Sequence, residues 1–465
     1  MIAPSFYVMT MPGLETLAFS EIRARVPDAE LIKFARGIAL FRTMAKPDTL
    51  LELRTVEDVF VTLAHVTGLG HGRDALRVIH SATLNADVVG ALAVWRQVRH
   101  AVPPPGGREG IETRSASFAE GPYGPSGVHG AVGNTVSPPG GRDKSGPYAP
   151  SGGHGAVRNT IPPPGGRDKS GHPAWGAGIH DKSGPYGPSG GHGAVGNTVS
   201  PPGGRDKSGP YGPSGVQPHT WRVISQKAGT HDFRRVDAGN AVSDALRRIL
   251  PRGMSHVADD ADVEFWLWLS GGEALVGLRL SDATMRHRGY KREHVPASLR
   301  PTVAAAMGWL ARPTQEDIVL DPLCGAGTLI IERALLGPLA QAIGGDLRKE
   351  AVTIARRNAL AAGVRAEWHV WDARALPLEA ASVTRIITNL PFGKQIGTEE
   401  TNADLYTALV GEFGRVLGAG GVLVTLTSAD RFWDRILRQD GWRIVKKVVL
   451  VVLGQPASIF VAERA

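Results

Sequence analysis

The sequence predicts an α/β protein of several modules, the largest a C-terminal domain on a mixed, mostly parallel seven-stranded sheet. Three observations carry that prediction. From about residue 281 onward, short apolar runs alternate with helical periodicity, and the runs end at Asp321, Asp346, Asp372 and Asn389. The first 69 residues read β-α-β-β-α. Between residues 102 and 218 the periodicity vanishes and a Gly/Pro-rich unit repeats.

Residues 1–69 open with FYVMT, a strand, and Gly13–Val26 places Leu14, Leu17, Ala18 and Ile22 on one face of a helix. AELIKF and GIALFRT form a hairpin about Arg36-Gly37, and Pro47 begins a second helix. That order marks a small ferredoxin-like unit. A second module is split into residues 70–101 and 219–280. Its first part is helical over Asp74–Ile79 and Asn85–Val98. Its second part has the strand TWRVISQKAG, a helix over Asp237–Leu250, and the hairpin VEFWLWL/ALVGLRL turning at Ser270–Glu273. The segment GTHDFRRVD gathers His231, Arg234 and Arg235, either as an exposed loop before a helix or as a phosphate contact.

The split is made by residues 102–218. A 25-residue unit runs from Gly121 to Ser145 and returns at Gly146–Ser170 and Gly184–Ser208, with a partial copy from Gly209. A period of this length can signal a solenoid. About half of each unit is Gly, Pro and Ser, however, so it cannot bury enough apolar surface to offset its ordering entropy. The reading is a disordered insertion in a surface loop.

In residues 281–465, IVLD ends at Asp321, then PLCGAGT leads into a helix through Leu336. A strand ends at Asp346, a helix spans Leu347–Ala362, AEWHVW ends at Asp372 and TRIITN ends at Asn389. A helix over Leu405–Leu417, the strand VLVTLTS, another helix, and the pair IVKKVVLVVL and SIFVAERA close the chain. Such alternation requires helices on both faces of the sheet, with ligands beyond the carboxyl ends of the strands.

Composition narrows the function classes. The formal charge is +8, but residues 121–208 hold four Arg and four Lys against four Asp, leaving +4 elsewhere, a weak argument for nucleic acid. No apolar run approaches the length of a membrane span, and Pro4, Pro12 and Glu15 interrupt any signal peptide, so a cytoplasmic protein is expected. A single cysteine, Cys324, excludes an internal disulfide and a cysteine-rich metal cluster.

The strand ends carry the chemistry. Gly325 and Gly327 let a ligand approach the backbone, although such a pair also occurs in ordinary turns. The third glycine of a dinucleotide loop and the Walker lysine are missing. Asp346 follows the glycines by about twenty residues, the offset of a ribose-binding acid. Asp372 suits an adenine amino group. Each aspartate alone is equally a solvated strand end or cap; together they point to an adenosine-containing cofactor without phosphates. In Asn389-Leu390-Pro391-Phe392-Gly393, the Asn389 side chain and the Leu390 or Pro391 carbonyl can accept hydrogen bonds from an aromatic amine. That would localise the amine's lone pair for attack on a methyl sulfonium. Phe392 can stack on the base.

DPLCGAGT followed by NLPFG resembles the THUMP-containing RNA (guanine-N2)-methyltransferases, whose catalytic domain is Rossmann-like. LSDATMRHRGYKREHVPASLRPTVAAAM resembles that family's connector, FYVMTMPGLETLAFSEI its ferredoxin-like domain, and TWRVISQKAGTHDFRRVD its THUMP core. The resemblance implies S-adenosyl-L-methionine held near Asp321, Cys324, Gly325, Gly327 and Thr328, with Asp346 on ribose, Asp372 near adenine and Asn389 alongside. It implies that Asn389, Pro391 and Phe392 hold a guanine, with Leu390 at the substrate. Arg288, Gly289 and Tyr290 would close over the site, and His231, Arg234 and Arg235 would contact RNA. NLPFG is more similar to the enzymes that act on guanosine 6 of the tRNA acceptor stem than to NPPY enzymes. The expected partner is tRNA, with 23S rRNA the alternative; a monomer without metal or membrane contact is expected. A DNA adenine-N6 methyltransferase and a non-catalytic RNA-binding protein are the remoter readings. A cytosine or uracil C5 enzyme would need a cysteine nucleophile, and Cys324 lies in the cofactor loop.

Deleting residues 121–208 is expected to leave folding and methyl transfer nearly unchanged, as checked by thermal unfolding and by activity on bulk tRNA. A large loss of either overturns the spacer reading.

Overall fold

The computed structural model describes residues 3–101, 218–295, 298–391, 399–452 and 454–464. The expected insertion, apart from Pro218, lies outside them. The first half comprises β1 (Ser5–Met9), α1 (Glu15–Arg25), β2 (Glu30–Ala35), β3 (Ile38–Arg42), α2 (Pro47–Leu51), β4 (Asp58–Thr67), α3 (Asp74–Leu84) and α4 (Val88–Ala101). After the insertion come β5 (Thr220–Ala228), α5 (Arg235–Ile249), β6 (Ser255–His256), β7 (Val263–Ser270) and β8 (Glu273–Arg279).

The two small modules share one sheet, in the order β2-β3-β1-β4-β8-β7-β5-β6. The seam is β4, which pairs antiparallel with β1 on one side and β8 on the other. This strand was not predicted. Its first four residues are all buried, so it lacks the alternation that reveals a half-exposed strand. Helices α1, α3, α4 and α5 lay apolar residues on the sheet, among them Ile22, Ile79, Trp95 and Leu246.

The connector holds α6 (Ala283–His287) and α7 (Pro301–Leu310). The catalytic-type domain follows: β9 (Ile318–Asp321), α8 (Thr328–Leu336), β10 (Gln341–Asp346), α9 (Lys349–Ala362), β11 (Glu367–Val370), β12 (Val383–Asn389), α10 (Glu399–Val416), β13 (Leu417–Thr427), α11 (Asp430–Gln439), β14 (Trp442–Val452) and β15 (Gln455–Arg464). Its seven strands run β11-β10-β9-β12-β13-β15-β14, parallel except for β15, which is antiparallel to both its neighbours. The closing hairpin is thus inserted with its second strand inward and β14 at the edge. β11 stops two residues before Asp372.

One buried ionic cluster binds the halves together. Glu332, on α8 just beyond the cofactor loop, is fully buried. It accepts a bidentate pair from Arg54 at 2.7 and 2.9 Å and a hydrogen bond from the Tyr290 hydroxyl at 2.7 Å, with Arg288 3.4 Å away. Arg288 also donates to the Arg54 carbonyl at 2.7 Å. The Arg54 backbone amide and both the amide and hydroxyl of Thr55 donate to Glu21, a second fully buried carboxylate. Around this cluster Met11, Leu14 and Leu17 enter the core formed by α7, α8 and β13. Gly13, at φ +99°, passes so close to β14 that a Cβ there would collide with the Val449 carbonyl.

A buried charge stripped of its partner is strongly destabilising, so Arg54→Ala is expected to cost about 3–5 kcal/mol in chemical denaturation. Asp74→Ala, which breaks an ion pair with Arg77 whose side chains are 89% and 88% exposed, is expected to leave the midpoint unmoved. Equal effects from the two would overturn this account of the junction.

Candidate functional site

The parallel order β11-β10-β9-β12 brings the carboxyl ends of these strands to one edge, and with them Asp321, Asp346 and Asn389. The loop after β9 is tied to β10. The Cys324 amide donates to the Gly345 carbonyl at 2.7 Å, and the Gly325 amide donates to Asp346 Oδ2 at 3.0 Å. The Gly327 amide then turns back on the Cys324 carbonyl at 2.8 Å, and α8 starts at the buried Thr328. Gly327 has φ +80°, and a Cβ there would lie 2.7 Å from the Trp368 ring and 3.0 Å from Ala355, so the position admits only glycine.

Asp346 keeps one oxygen on the loop and the other on the Arg348 amide at 2.9 Å. Asp372 stands more open and pairs with Arg374, whose side chain and amide hold its carboxyl below the ordinary carboxylate range. Asp321 is buried, and its Oδ1 accepts from the Leu323 amide at 3.2 Å. Burial pushes its carboxyl up to about 7, and the Asp346 charge adds to the rise. Burial likewise raises the Cys324 thiol far above its ordinary value, which suits an inert packing group.

At the end of β12, Asn389 Oδ1 is buried without a hydrogen-bond partner among the described residues. An orphaned buried acceptor is costly, and a ligand donor would satisfy it. Leu390 is fully buried, its amide on the Leu426 carbonyl at 3.0 Å. The Pro391 carbonyl accepts from the Tyr406 hydroxyl at 2.7 Å. Phe392 lies outside the described residues.

The remaining expected residues fall elsewhere. Arg288 and Tyr290 do not face this pocket: both are buried in the Glu332 cluster, which occupies the polar ends expected to meet substrate. His231 is turned inward, hydrogen bonded to the Gly271 carbonyl at 2.9 Å, beside His71 and Phe233. Arg234 caps α5 through Asp237 with its side chain 83% exposed, and Arg235 donates to the Ser225 carbonyl. These two arginines stand on the first sheet's module, apart from the strand-end pocket.

Several contributors escaped the sequence reading. Trp368 packs over Gly344, and Trp371 over Gly345 while donating to the Pro322 carbonyl at 3.3 Å. Leu347, next to Asp346 at the end of β10, is a large apolar side chain 68% exposed. Tyr406 had no sequence signal beyond a helical position; it steadies Pro391 and meets Trp433 edge-on at 5.4 Å.

The donor set fits S-adenosylmethionine. Carboxylates at adjacent strand ends suit hydroxyl and ammonium donors on a cationic cofactor. Among the described residues no helix is long and apolar enough to cross a membrane, and no cluster of three or more His, Cys, Asp or Glu could hold a metal.

Known proteins extend these findings. The RMKL-like methyltransferase domain family matches residues 288–454. The tRNA (guanine(6)-N2)-methyltransferase of Thermus thermophilus is 30% identical over 251 residues, covering 53% of this chain and 72% of that protein. The human tRNA (guanine(6)-N(2))-methyltransferase THUMP3 is 33% identical over 265 residues, 52% of this chain and 51% of that one. The matches span only 43–52% of the length of the mammalian relatives. The crystal structure of TrmN from Thermus thermophilus superposes with a TM-score of 0.62 at 21% identity, covering 99% of both chains, which establishes a shared fold.

Below about pH 7 the ligand-free Asp321 is protonated, whereas a bound ammonium favours the carboxylate. Affinity for S-adenosylhomocysteine is therefore expected to fall from about pH 8 to about pH 6, approaching tenfold per unit at the acid end. Asp321→Asn should flatten that profile in calorimetric titration, and an unchanged slope in the variant would remove Asp321 from the site.

Proposed function

The chain belongs to the THUMP-containing, S-adenosylmethionine-dependent RNA (guanine-N2)-methyltransferase family, and from that premise we propose that it forms N2-methylguanosine in tRNA, at position 6 of the acceptor stem. The observation that carries the chemistry is the buried Oδ1 of Asn389, which no described residue satisfies, at the strand edge shared with the glycine loop.

The cofactor, when bound, supplies an electrophilic methyl group on a sulfonium. Everything else falls to the chain. Asp346 and Asp372 orient the adenosine, Asp321 faces the ammonium, and Leu347 packs on the adenine. The target guanosine leaves its stem at a cost of a few kcal/mol of unstacking. Its exocyclic N–H then donates to Asn389 Oδ1, which draws the nitrogen lone pair out of conjugation with the ring. The Leu390 carbonyl serves as the second acceptor for that amine, while the Pro391 carbonyl takes a hydrogen bond from the Tyr406 hydroxyl. Positioning supplies most of the acceleration.

Docking belongs to the first sheet's modules, where Arg234 and Arg235 present cations toward phosphates. Arg288 and Tyr290 act through the junction rather than on RNA. Support for tRNA over other RNAs comes from the bacterial and mammalian relatives named for guanosine 6.

Incubation with labelled S-adenosylmethionine and either bulk tRNA or ribosomal RNA, followed by nucleoside analysis, tests the reading. N2-methylguanosine is expected in tRNA. Asn389→Ala is expected to lower turnover about a hundred- to a thousandfold, the usual effect of removing one oriented group that stabilises a transition state. Label in ribosomal RNA alone, or in neither, contradicts the proposal.

A further inference from the structure

The connector is fastened to the cofactor loop by a side chain that the reading above leaves without a task. Asn358, on α9, is 1% exposed. Its Nδ2 donates to the Ala326 carbonyl at 3.1 Å and to the Glu293 carbonyl at 3.1 Å, while its Oδ1 accepts from the Glu293 amide at 3.3 Å. One buried amide thus engages both its N–H groups and its oxygen, and spans two segments distant in sequence. Other contacts converge on the same place. Arg357, its neighbour on α9, pairs with Glu293 at 3.2 Å. Val295 Cγ2 lies 3.4 Å from where a Cβ would sit on Gly325.

The loop needs such a tether. Gly325 and Gly327 have φ of +51° and +80°, so the residues on either side of Ala326 have no Cβ to lock their conformation. The Gly325 amide must nevertheless meet Asp346, the acid assigned to the ribose. A donor fixed on a rigid helix holds the Ala326 peptide in place, and the same donor holds the connector.

We propose that Asn358 is a positioning residue for the cofactor, which makes the Gly325–Gly327 loop and the Glu293–Val295 connector order as one unit when the cofactor binds. The inference rests on the reading of this loop as the S-adenosylmethionine site. A purely structural amide would stabilise the fold without tying ligand affinity to the connector.

The test uses the full chain with S-adenosylhomocysteine as probe, by calorimetry well below the unfolding temperature and by hydrogen exchange with and without the probe. In the wild-type protein, binding is expected to slow exchange in both residues 323–328 and residues 291–295. Asn358→Ala, and the near-isosteric Asn358→Asp, which sets a carboxylate against two carbonyls, are expected to weaken binding about tenfold or more, the effect of leaving buried groups unpaired. They should also abolish the probe-dependent protection of 291–295. Variants that unfold at lower temperature yet bind with wild-type affinity and keep that protection overturn the proposal alone. Wild-type protein that binds but shows no protection at 291–295 overturns it too, even if neither variant folds. Wild-type protein that does not bind the probe overturns the cofactor reading together with the proposal built on it.

Discussion

A carboxylate without contact to water holds this protein's parts in register. Glu332 sits one turn into the helix that the cofactor loop feeds, and its partners come from elsewhere: Arg54 from the first sheet's module, Arg288 and Tyr290 from the connector. Burying such a charge is unfavourable unless every lone pair is matched, so the cluster is nearly all-or-none. Its value is geometric. A hydrophobic contact of the same area would let the modules slide, whereas a bidentate guanidinium fixes both distance and angle. Whatever the first sheet grips is thereby held at a set span from the strand-end pocket.

The pocket works by a related economy of charge. Asp321 and Asp346 stand at neighbouring strand ends beside the glycine loop, and repulsion from Asp346 adds to the burial that raises the Asp321 carboxyl. A cationic, phosphate-free ligand relieves that repulsion, whereas a nucleotide triphosphate would aggravate it. Beside these acids stands the buried Asn389 oxygen, an acceptor that no described residue satisfies. On the proposed reading the two features divide the labour: acids for the cofactor, a neutral amide for a base that must keep its amine uncharged.

Much of this was legible in the sequence because a parallel strand buried on both faces reads as an apolar run, and the polar residue that ends the run marks the ligand edge. The strand ends at Asp321, Asp346 and Asn389 were placed that way. The central β4 was not, since its buried residues do not alternate and its partner β8 lies more than 200 residues away. Arg288 and Tyr290 form a recognisable motif, but a motif does not say which way its side chains turn, and their partner Arg54 is 234 residues from Arg288. The Trp368 and Trp371 rings fill the space left by Gly344 and Gly345, a complementarity visible only once β10 and β11 are set in register. Long-range pairings, rather than local periodicity, decided each of these.

The most direct test of the central claim is a structure of the complex with S-adenosylhomocysteine and a tRNA acceptor-stem minihelix. The account predicts a guanine out of its stem, its exocyclic nitrogen within hydrogen-bond distance of Asn389 Oδ1 and of the Leu390 carbonyl. A minihelix that docks with another base in the pocket, or with Asn389 turned away from the flipped guanine, would contradict it.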